Sequence, residues 1–182
     1  ASATSARMRS ISRFDTWSPE TAARRRQLAA TLHRAIEPRS PAAITSAVEQ
    51  AARVLDIGRS LDVVNRHRHV ADIVLTTELN GFSHAELALL AAIVRRAGDR
   101  NADIAFLAVA GEFDDKLVER AAVILALADE IEARCPRGQP ISIRSKIDQH
   151  LTLSVPILPS WLATDLDKRF ERAFGRSLII RH

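Results

Sequence analysis

The sequence predicts a mainly helical protein that ends in a small α+β unit. Apolar residues recur every three or four positions up to about residue 133, which is the period of an amphipathic helix. From Ile141 onward they alternate with polar residues, as in a strand, and the Pro- and Gly-containing stretch 136–140 separates the two patterns. These observations predict an N-terminal arm or linker at residues 1–17, a helical domain at 18–135 and a small α+β unit at 136–182.

The first three helices are predicted from their start signals and apolar stripes. Ser18-Pro19 and Ser40-Pro41 each combine an N-cap serine with proline at the first helical position. The first helix should reach about Glu37, and the second should carry its apolar residues from Ile44 to Leu55 on one face. A third helix is predicted over roughly His67–Leu79.

The fourth helix has the strongest local signals. Ser83 and Glu86 have the spacing of a capping box, and Gly98 is a typical C-terminal stop. The apolar stretch 103–111 is compatible with a short buried helix or with a loop. A further helix is predicted from Asp114 or Asp115 to about residue 133.

The C-terminal unit is predicted as a hairpin, a helix and a strand. Ile141 and Ile143 should lie in one strand and residues 151–155 in the next, with the turn near residues 148–149. Apolar residues at helical spacing predict a helix over 160–174, and residues 178–180 predict a last strand.

Composition limits the possible partners. Of the 26 basic residues 23 are arginine, and the arginine fork matches phosphate oxygens well. A genome that encodes arginine wherever a positive charge is tolerated would give the same excess, because 22 acidic residues nearly balance the basic ones. Tyrosine is absent and only 4% of residues are aromatic, which argues against a base-stacking surface and hence against a nucleic-acid partner.

The sequence also indicates a cellular compartment. Cys135 is the single cysteine, which excludes an internal disulfide and fits a reducing cytosol. The first ten residues show no signal-peptide pattern, and the longest apolar runs are too short for a membrane span. We therefore expect a cytoplasmic protein with no membrane partner.

Several motifs together resemble one protein family. They are Leu55–Gly58, the basic run Arg66–His69, Gly81-Phe82-Ser83, Glu86 and Val94-Arg95. In this order they resemble the HD-type helical module in the C-terminal half of the exopolyphosphatase / guanosine pentaphosphatase (Ppx/GppA) family. The resemblance implies an HD-like multi-helix domain at residues 18–135.

The resemblance also implies where an HD metal site would lie. A working site has a His on the first helix, a His-Asp doublet on the second and a later Asp. The corresponding positions in this sequence are Thr21, Leu55, Asp56 and Asp129, with Ala97 at a further family His. Because three of these residues lack a ligand atom suited to a metal, we expect a degenerate, metal-free site. The alternative is a metal site in which His67 or His69 replaces the missing ligands. Asp56 should then pair with Arg53 or Arg59, and Asp129 with an arginine on a facing helix.

A basic cluster is the candidate binding site. We expect Arg66, His67, Arg68 and His69 to face a polyanion at a helix N-terminus. Arg95 and Arg96 should join this cluster. A solvated basic loop is the alternative, and the run 24–26 of three arginines is expected to be a solvated face.

The resemblance finally implies a function for the chain. In this family hydrolysis belongs to an N-terminal actin-like domain with Gly-rich phosphate loops, a catalytic Glu and Mg²⁺, and the 182 residues contain no such loop, nor HExxH, CxxC or GxSxG. We therefore expect a homodimer-forming domain, inactive alone, that binds polyphosphate or a related polyanion, guanosine pentaphosphate being the other family substrate. The alternatives are a stand-alone metal-dependent HD phosphohydrolase acting on nucleotide phosphates, and a dimerisation module without a ligand.

Overall fold

The computed structural model describes residues 18–60, 64–77, 81–111, 113–156 and 164–181. Within these ranges the chain forms six α-helices, two 3-10 segments and a three-stranded sheet. The helices are α1 (Pro19–Ile36), α2 (Ala42–Val54), α3 (Arg66–Thr76), α4 (His84–Gly98), α5 (Asp115–Arg134) and α6 (Thr164–Phe174). The strands are β1 (Arg144–Ile147), β2 (His150–Ser154) and β3 (Ser177–Arg181). The predicted fold class, mainly helical with a small α+β end, is confirmed.

Three helix starts follow the predicted capping chemistry. The prediction that Ser40 caps α2 is wrong, because Pro41 is the N-cap and no side chain caps this helix. The Ser18 side chain accepts a hydrogen bond from the backbone amide of Thr21 at 3.3 Å. At α4 the capping box is complete, because the amide of Glu86 donates to Ser83 Oγ at 3.2 Å and the amide of Ser83 donates to Glu86 Oε2 at 2.7 Å. The side chain of Asp114 caps α5. Side-chain caps of this kind satisfy backbone donors that the helix leaves unpaired.

The core is centred on α4. Residues 87–94 of this helix are all buried, and the helix packs against α2, α3 and α5. A helix that is apolar on every side has to be surrounded, which explains its central position. α1 packs on α2 and α5 and completes the helical body.

The sheet extends the same core. β1 and β2 form an antiparallel hairpin, and β3 pairs parallel to β2 after the chain has passed through α6. The buried residues Leu151, Leu153, Val155 and Phe170 belong to the hydrophobic cluster that also contains the helical core. The hydrophobic core is therefore continuous across the predicted boundary at residue 135.

Some element boundaries differ from the predictions. β1 begins at Arg144, so the prediction that Ile141 and Ile143 lie in the strand is wrong; both are half-buried against the core before the strand starts. The stretch 103–111 contains a 3-10 helix at Ala105–Ala110. The predicted arm at residues 1–17 lies outside the described residues. None of the described helices combines the length and the apolar character that crossing a bilayer requires.

Two glycines allow the start of α3 to approach its neighbours closely. A Cβ added at Gly58 would lie 2.2 Å from the carbonyl oxygen of Arg66, and one added at Gly98 would lie 2.6 Å from Cβ and Cγ of His67. Both distances are far shorter than real carbon contacts. The first turn of α3 thus packs between the 3-10 segment Ile57–Ser60 and the end of α4, and Arg66 is directed to the interior.

Candidate functional site

Arg25 is the best-buried charged side chain in the described part of the protein. It has no exposed surface, although it is the middle residue of three consecutive arginines on α1. Helix phase explains this, because Arg25 lies on the same face as the buried Ala22, Leu28 and Leu32. The expectation that residues 24–26 form a solvated face is therefore wrong for Arg25.

Arg25 joins two helices through their carboxylates. Its Nη2 lies 2.7 Å from Oδ2 of Asp56 at the end of α2, and its Nε lies 2.8 Å from Oδ1 of Asp129 on α5. Its Nη1 also donates to the carbonyl oxygen of Ala52 at 3.3 Å. One guanidinium thus connects three helices, through a charge-assisted hydrogen bond to Asp56, which is stronger than a neutral one, and an ion pair with Asp129.

Arg66 reaches the same two carboxylates from α3. Its Nη2 pairs with Oδ2 of Asp129, and its Nη1 lies 3.7 Å from Oδ1 of Asp56. Only 14% of its side chain is exposed. The expectation that Arg66 is an exposed, phosphate-facing residue is therefore wrong, because the close packing of α3 on Gly58 directs this side chain inward. The set of Arg25, Arg66, Asp56 and Asp129 is called the buried network below.

The charges of the buried network are matched. Burial would lower the pKa of Arg25, but the nearby carboxylates of Asp129 and Asp56 outweigh burial and raise it, so the guanidinium stays charged. Glu132, one turn after Asp129, lies 3.7 Å from Arg25, and burial raises its pKa. The network therefore consists of two arginines against two aspartates, with Glu132 at its edge.

The positions that were expected to form a degenerate HD site now have a structural account. The prediction that Asp129 pairs with an arginine on a facing helix is confirmed by Arg25. Asp56 has partners on α1 and α3 that the expectation of local arginines had missed. The remaining positions offer no metal ligand to the network: Leu55 and Ala97 are buried in the apolar core, and Thr21 is half-buried on α1.

The residues present therefore do not fit a divalent metal at this position. Both aspartates that would bind a metal already contact guanidinium groups, and a second cation would repel those groups in a site with little water. Among the described residues no group of three or more His, Cys, Asp or Glu is placed to hold a metal ion.

The predicted basic cluster is only partly assembled. His67, Arg68 and Arg95 line one cleft of about 460 Å³ at the start of α3, which is called the α3 cleft below. Asp99 and Asp103 line it too. The cleft therefore has two arginines and two carboxylates, and its net charge depends on the state of His67.

The imidazole of His67 adds no charge to the α3 cleft at neutral pH. Burial, with the neighbouring charge of Arg66, lowers the pKa of His67 to about 4. Arg95 contacts Asp72 at 2.5 Å and stacks over the ring of Phe106 at 5.2 Å. The side chain of Arg68 is 77% exposed, and its contact with a polyanion stays a prediction.

The other two members of the predicted cluster lie elsewhere. Half-buried His69 is not among the residues that line the α3 cleft. Arg96 points to a second cleft, of about 290 Å³, between α4, α5 and α6. Its other basic residues were missed by sequence reasoning and are Arg100, Lys116, Arg169 and Arg172. This second cleft is called the basic pocket below.

The fold and the buried network define a class of protein: a mainly helical domain whose interior is cross-linked by arginine–aspartate ion pairs. Residues 7–164 match the family model described as Ppx/GppA phosphatase, domain III. The match covers well over half of the sequence, so the chain belongs to the Ppx/GppA phosphatase family, and the family resemblance seen in the sequence is confirmed. No curated protein matches the chain.

Proposed function

We propose that the chain is a non-catalytic, HD-like domain of a Ppx/GppA phosphatase that binds polyphosphate or a related polyanion and pairs protomers. The hydrolytic step would belong to an N-terminal actin-like domain with its Mg²⁺, as the family resemblance implies. The observation that carries the proposal is the pairing of Asp56 and Asp129 with Arg25 and Arg66.

This pairing disfavours the alternative of a stand-alone, metal-dependent phosphohydrolase. To bind a metal, Asp56 and Asp129 would have to release buried guanidinium groups, and breaking a buried ion pair costs about 3–5 kcal/mol because an unpaired charge is left behind. The aspartates therefore hold the helices together, and a binding role is the function left to the exposed arginines.

The polyanion part of the proposal rests on the exposed edge of the α3 cleft. Arg68 projects into solvent from the first turn of α3, where the helix dipole also favours an anion. Arg95 lies across the cleft. Each exposed ion pair contributes only about 0–1 kcal/mol, so useful affinity needs several contacts along one chain, as a long polyphosphate provides.

Titration with long-chain polyphosphate tests the proposal. We expect wild-type protein to bind, with an affinity that falls steeply between about 50 and 200 mM salt because bound counterions are released. Arg68→Ala should bind more weakly and show a smaller salt slope. Arg137→Ala removes an exposed arginine from the loop before β1 and is the matched control, which should behave like wild type.

The same preparations should be assayed for phosphate release and for bound metal. The proposal expects neither turnover nor a tightly held transition metal. Metal-stimulated turnover by the purified chain, with one metal per molecule, would contradict it and favour the phosphohydrolase. If the wild type fails to bind polyphosphate even at low salt, the dimerisation module without a ligand becomes the better description, and sedimentation would test the dimer itself.

A further inference from the structure

The basic pocket lies where three helices meet. It is lined by the last turn of α4 and the residues just after it, by the first turns of α5 and by the second half of α6. We infer that this pocket is a second anion site, which binds one phosphate group of a multiply charged phosphate compound. The proposed function assigns no role to this pocket, since its only member among the residues expected to bind is Arg96.

The two arginines at the base of the pocket already form ion pairs. Arg96 Nη2 lies 3.3 Å from Asp115, and Arg169 contacts both carboxylate oxygens of Glu119, at 2.8 and 2.9 Å. These two arginines are largely covered by protein, so they form a fixed base. The two acidic residues of the pocket are thereby neutralised.

The rim of the pocket carries charge that no carboxylate among the described residues compensates. The side chains of Arg100, Lys116 and Arg172 are exposed and line the opening. In the described part of the chain none of them forms an ion pair with a carboxylate. Three positive charges around a small cavity create a local potential that attracts anions.

The charges that line the α3 cleft disfavour it as the stronger anion site. There the exposed Arg68 lies 3.9 Å from Asp72, which also pairs with Arg95. Asp99 and Asp103 add two more carboxylates to the lining. Among the described residues, the basic pocket has three cations without a carboxylate partner, whereas the α3 cleft has none.

Helix ends make the pocket more favourable for an anion. The partial negative charge at the end of α4 is masked, because Arg169 donates to the carbonyl oxygens of Arg96 and Ala97 at 2.5 and 3.2 Å. Arg96 donates in the same way to the carbonyl of Arg100 at 2.7 Å. The start of α5, which has partial positive charge, contributes Lys116 to the same lining.

The size and chemistry of the pocket favour phosphate. A volume of about 290 Å³ accommodates a phosphate group and its water, since one water molecule occupies about 30 Å³ in the liquid. Guanidinium forks match the oxygens of phosphate in pairs. Arg169 and Arg172 lie beyond residue 164, where the family match ends, so part of the pocket is built by a segment outside that match.

Binding of tripolyphosphate, measured by calorimetry on the full chain, tests this inference. We expect the double variant Lys116→Ala, Arg172→Ala to bind about tenfold more weakly than wild type, since two exposed contacts are lost. Lys168→Ala is the matched control, because Lys168 is an exposed lysine on α6 that does not line the pocket. It should bind like wild type, and Arg68→Ala, which alters the α3 cleft, is measured in parallel.

A measurement without any variant complements the titration. In wild-type protein, the amide signals of Arg100, Lys116 and Arg172 should shift in NMR spectra as tripolyphosphate is added. Equal affinity of the wild type and the double variant, or equal weakening by Lys168→Ala, would overturn the inference. If only Arg68→Ala weakens binding, the pocket is not the site and the proposed role of the α3 cleft stands.

Discussion

Arg25 and Arg172 differ strongly in burial and in their partners. Arg25 has no exposed surface and contacts Asp56 and Asp129 within 2.8 Å. Arg172 is exposed, and its Nε donates to the backbone carbonyl of Lys168 at 3.3 Å. The first arginine is matched by buried carboxylates, whereas the second has no carboxylate partner among the described residues.

The difference shows how one residue type can serve stability or binding. A buried guanidinium has to be paired, because burial without a counter-charge costs several kcal/mol. An exposed guanidinium remains hydrated and needs no partner from the protein, so its charge is available to a ligand. An arginine-rich composition therefore does not by itself predict a phosphate-binding surface, and the counter-charges within reach decide the role.

Replacing Arg25 should give the largest effect. Arg25→Met keeps much of the side-chain volume but leaves the carboxylates of Asp56 and Asp129 with one guanidinium fewer, so the free energy of unfolding should fall by about 3–5 kcal/mol. Urea denaturation would measure this change. The neighbouring Arg26→Met is the control, since Arg26 is 48% exposed and pairs with Glu49 on the surface, and it should cost only about 0–1 kcal/mol. Similar losses in the two variants would mean that the buried network does not stabilise the fold.

Signals that depend on a few neighbouring residues predicted the local structure well. The capping box of Ser83 and Glu86 and the turn at residues 148–149 are present as expected. These features need only short-range hydrogen bonds or turns, which a sequence pattern specifies directly.

The sequence predicted an arginine partner for Asp129 on a facing helix, but the identity of that partner and the shared pairing with Asp56 were missed because they are long-range. Arg25 shares a face with Leu28 and Leu32, and Asp129 shares one with the buried Val118 and Leu125. Two opposite charges on two apolar stripes indicate a buried ion pair. Which helices face each other is a tertiary property, so the pattern alone could not name Arg25 as the partner.

The predicted cluster was divided for a simpler reason. Consecutive residues of a helix point about 100° apart, so Arg95 and Arg96 could not both face one cleft. Arg95 faces the α3 cleft and Arg96 faces the basic pocket. The pocket itself depends on the docking of α6 against α5, which contributes Arg172 and which no short-range pattern reveals.

His67 is half-buried, between the fully buried Arg25 and the exposed Arg172, so its effect on stability should be intermediate. It is wedged against Gly98, and burial together with Arg66 lowers its pKa to about 4, while Asp129 opposes the shift and Arg25 and Arg169 reinforce it. Above about pH 6.5 the imidazole is neutral in both the folded and the unfolded chain. Below that pH the imidazole is protonated in the unfolded chain but stays neutral in the folded chain. Stability is therefore lost as the pH falls from 6.5 towards 4.

The size of this loss can be measured against a variant without the imidazole. The pKa difference corresponds to at most about 3 kcal/mol, and partial exposure of the ring reduces it to about 1–3 kcal/mol. His67→Gln should therefore lose less stability than wild type between pH 6.5 and 4 in urea denaturation. Carboxyl groups titrate in both proteins and cancel in the difference. If the free energy of unfolding changed with pH equally in the two proteins, the pKa of His67 would not be lowered in the folded state.

The smallest effect on stability is expected in the basic pocket, and it sharpens the contrast with Arg25. Arg172→Ala removes an exposed cation that repels Arg100 and Lys116, so the free energy of unfolding should stay within about 0.5 kcal/mol of wild type. Saturating tripolyphosphate should raise the melting temperature of the wild type, because a ligand that binds only the folded state stabilises it. The same ligand should raise the melting temperature of Arg172→Ala by less. A loss of several kcal/mol without ligand would instead show that Arg172, like Arg25, holds the fold together.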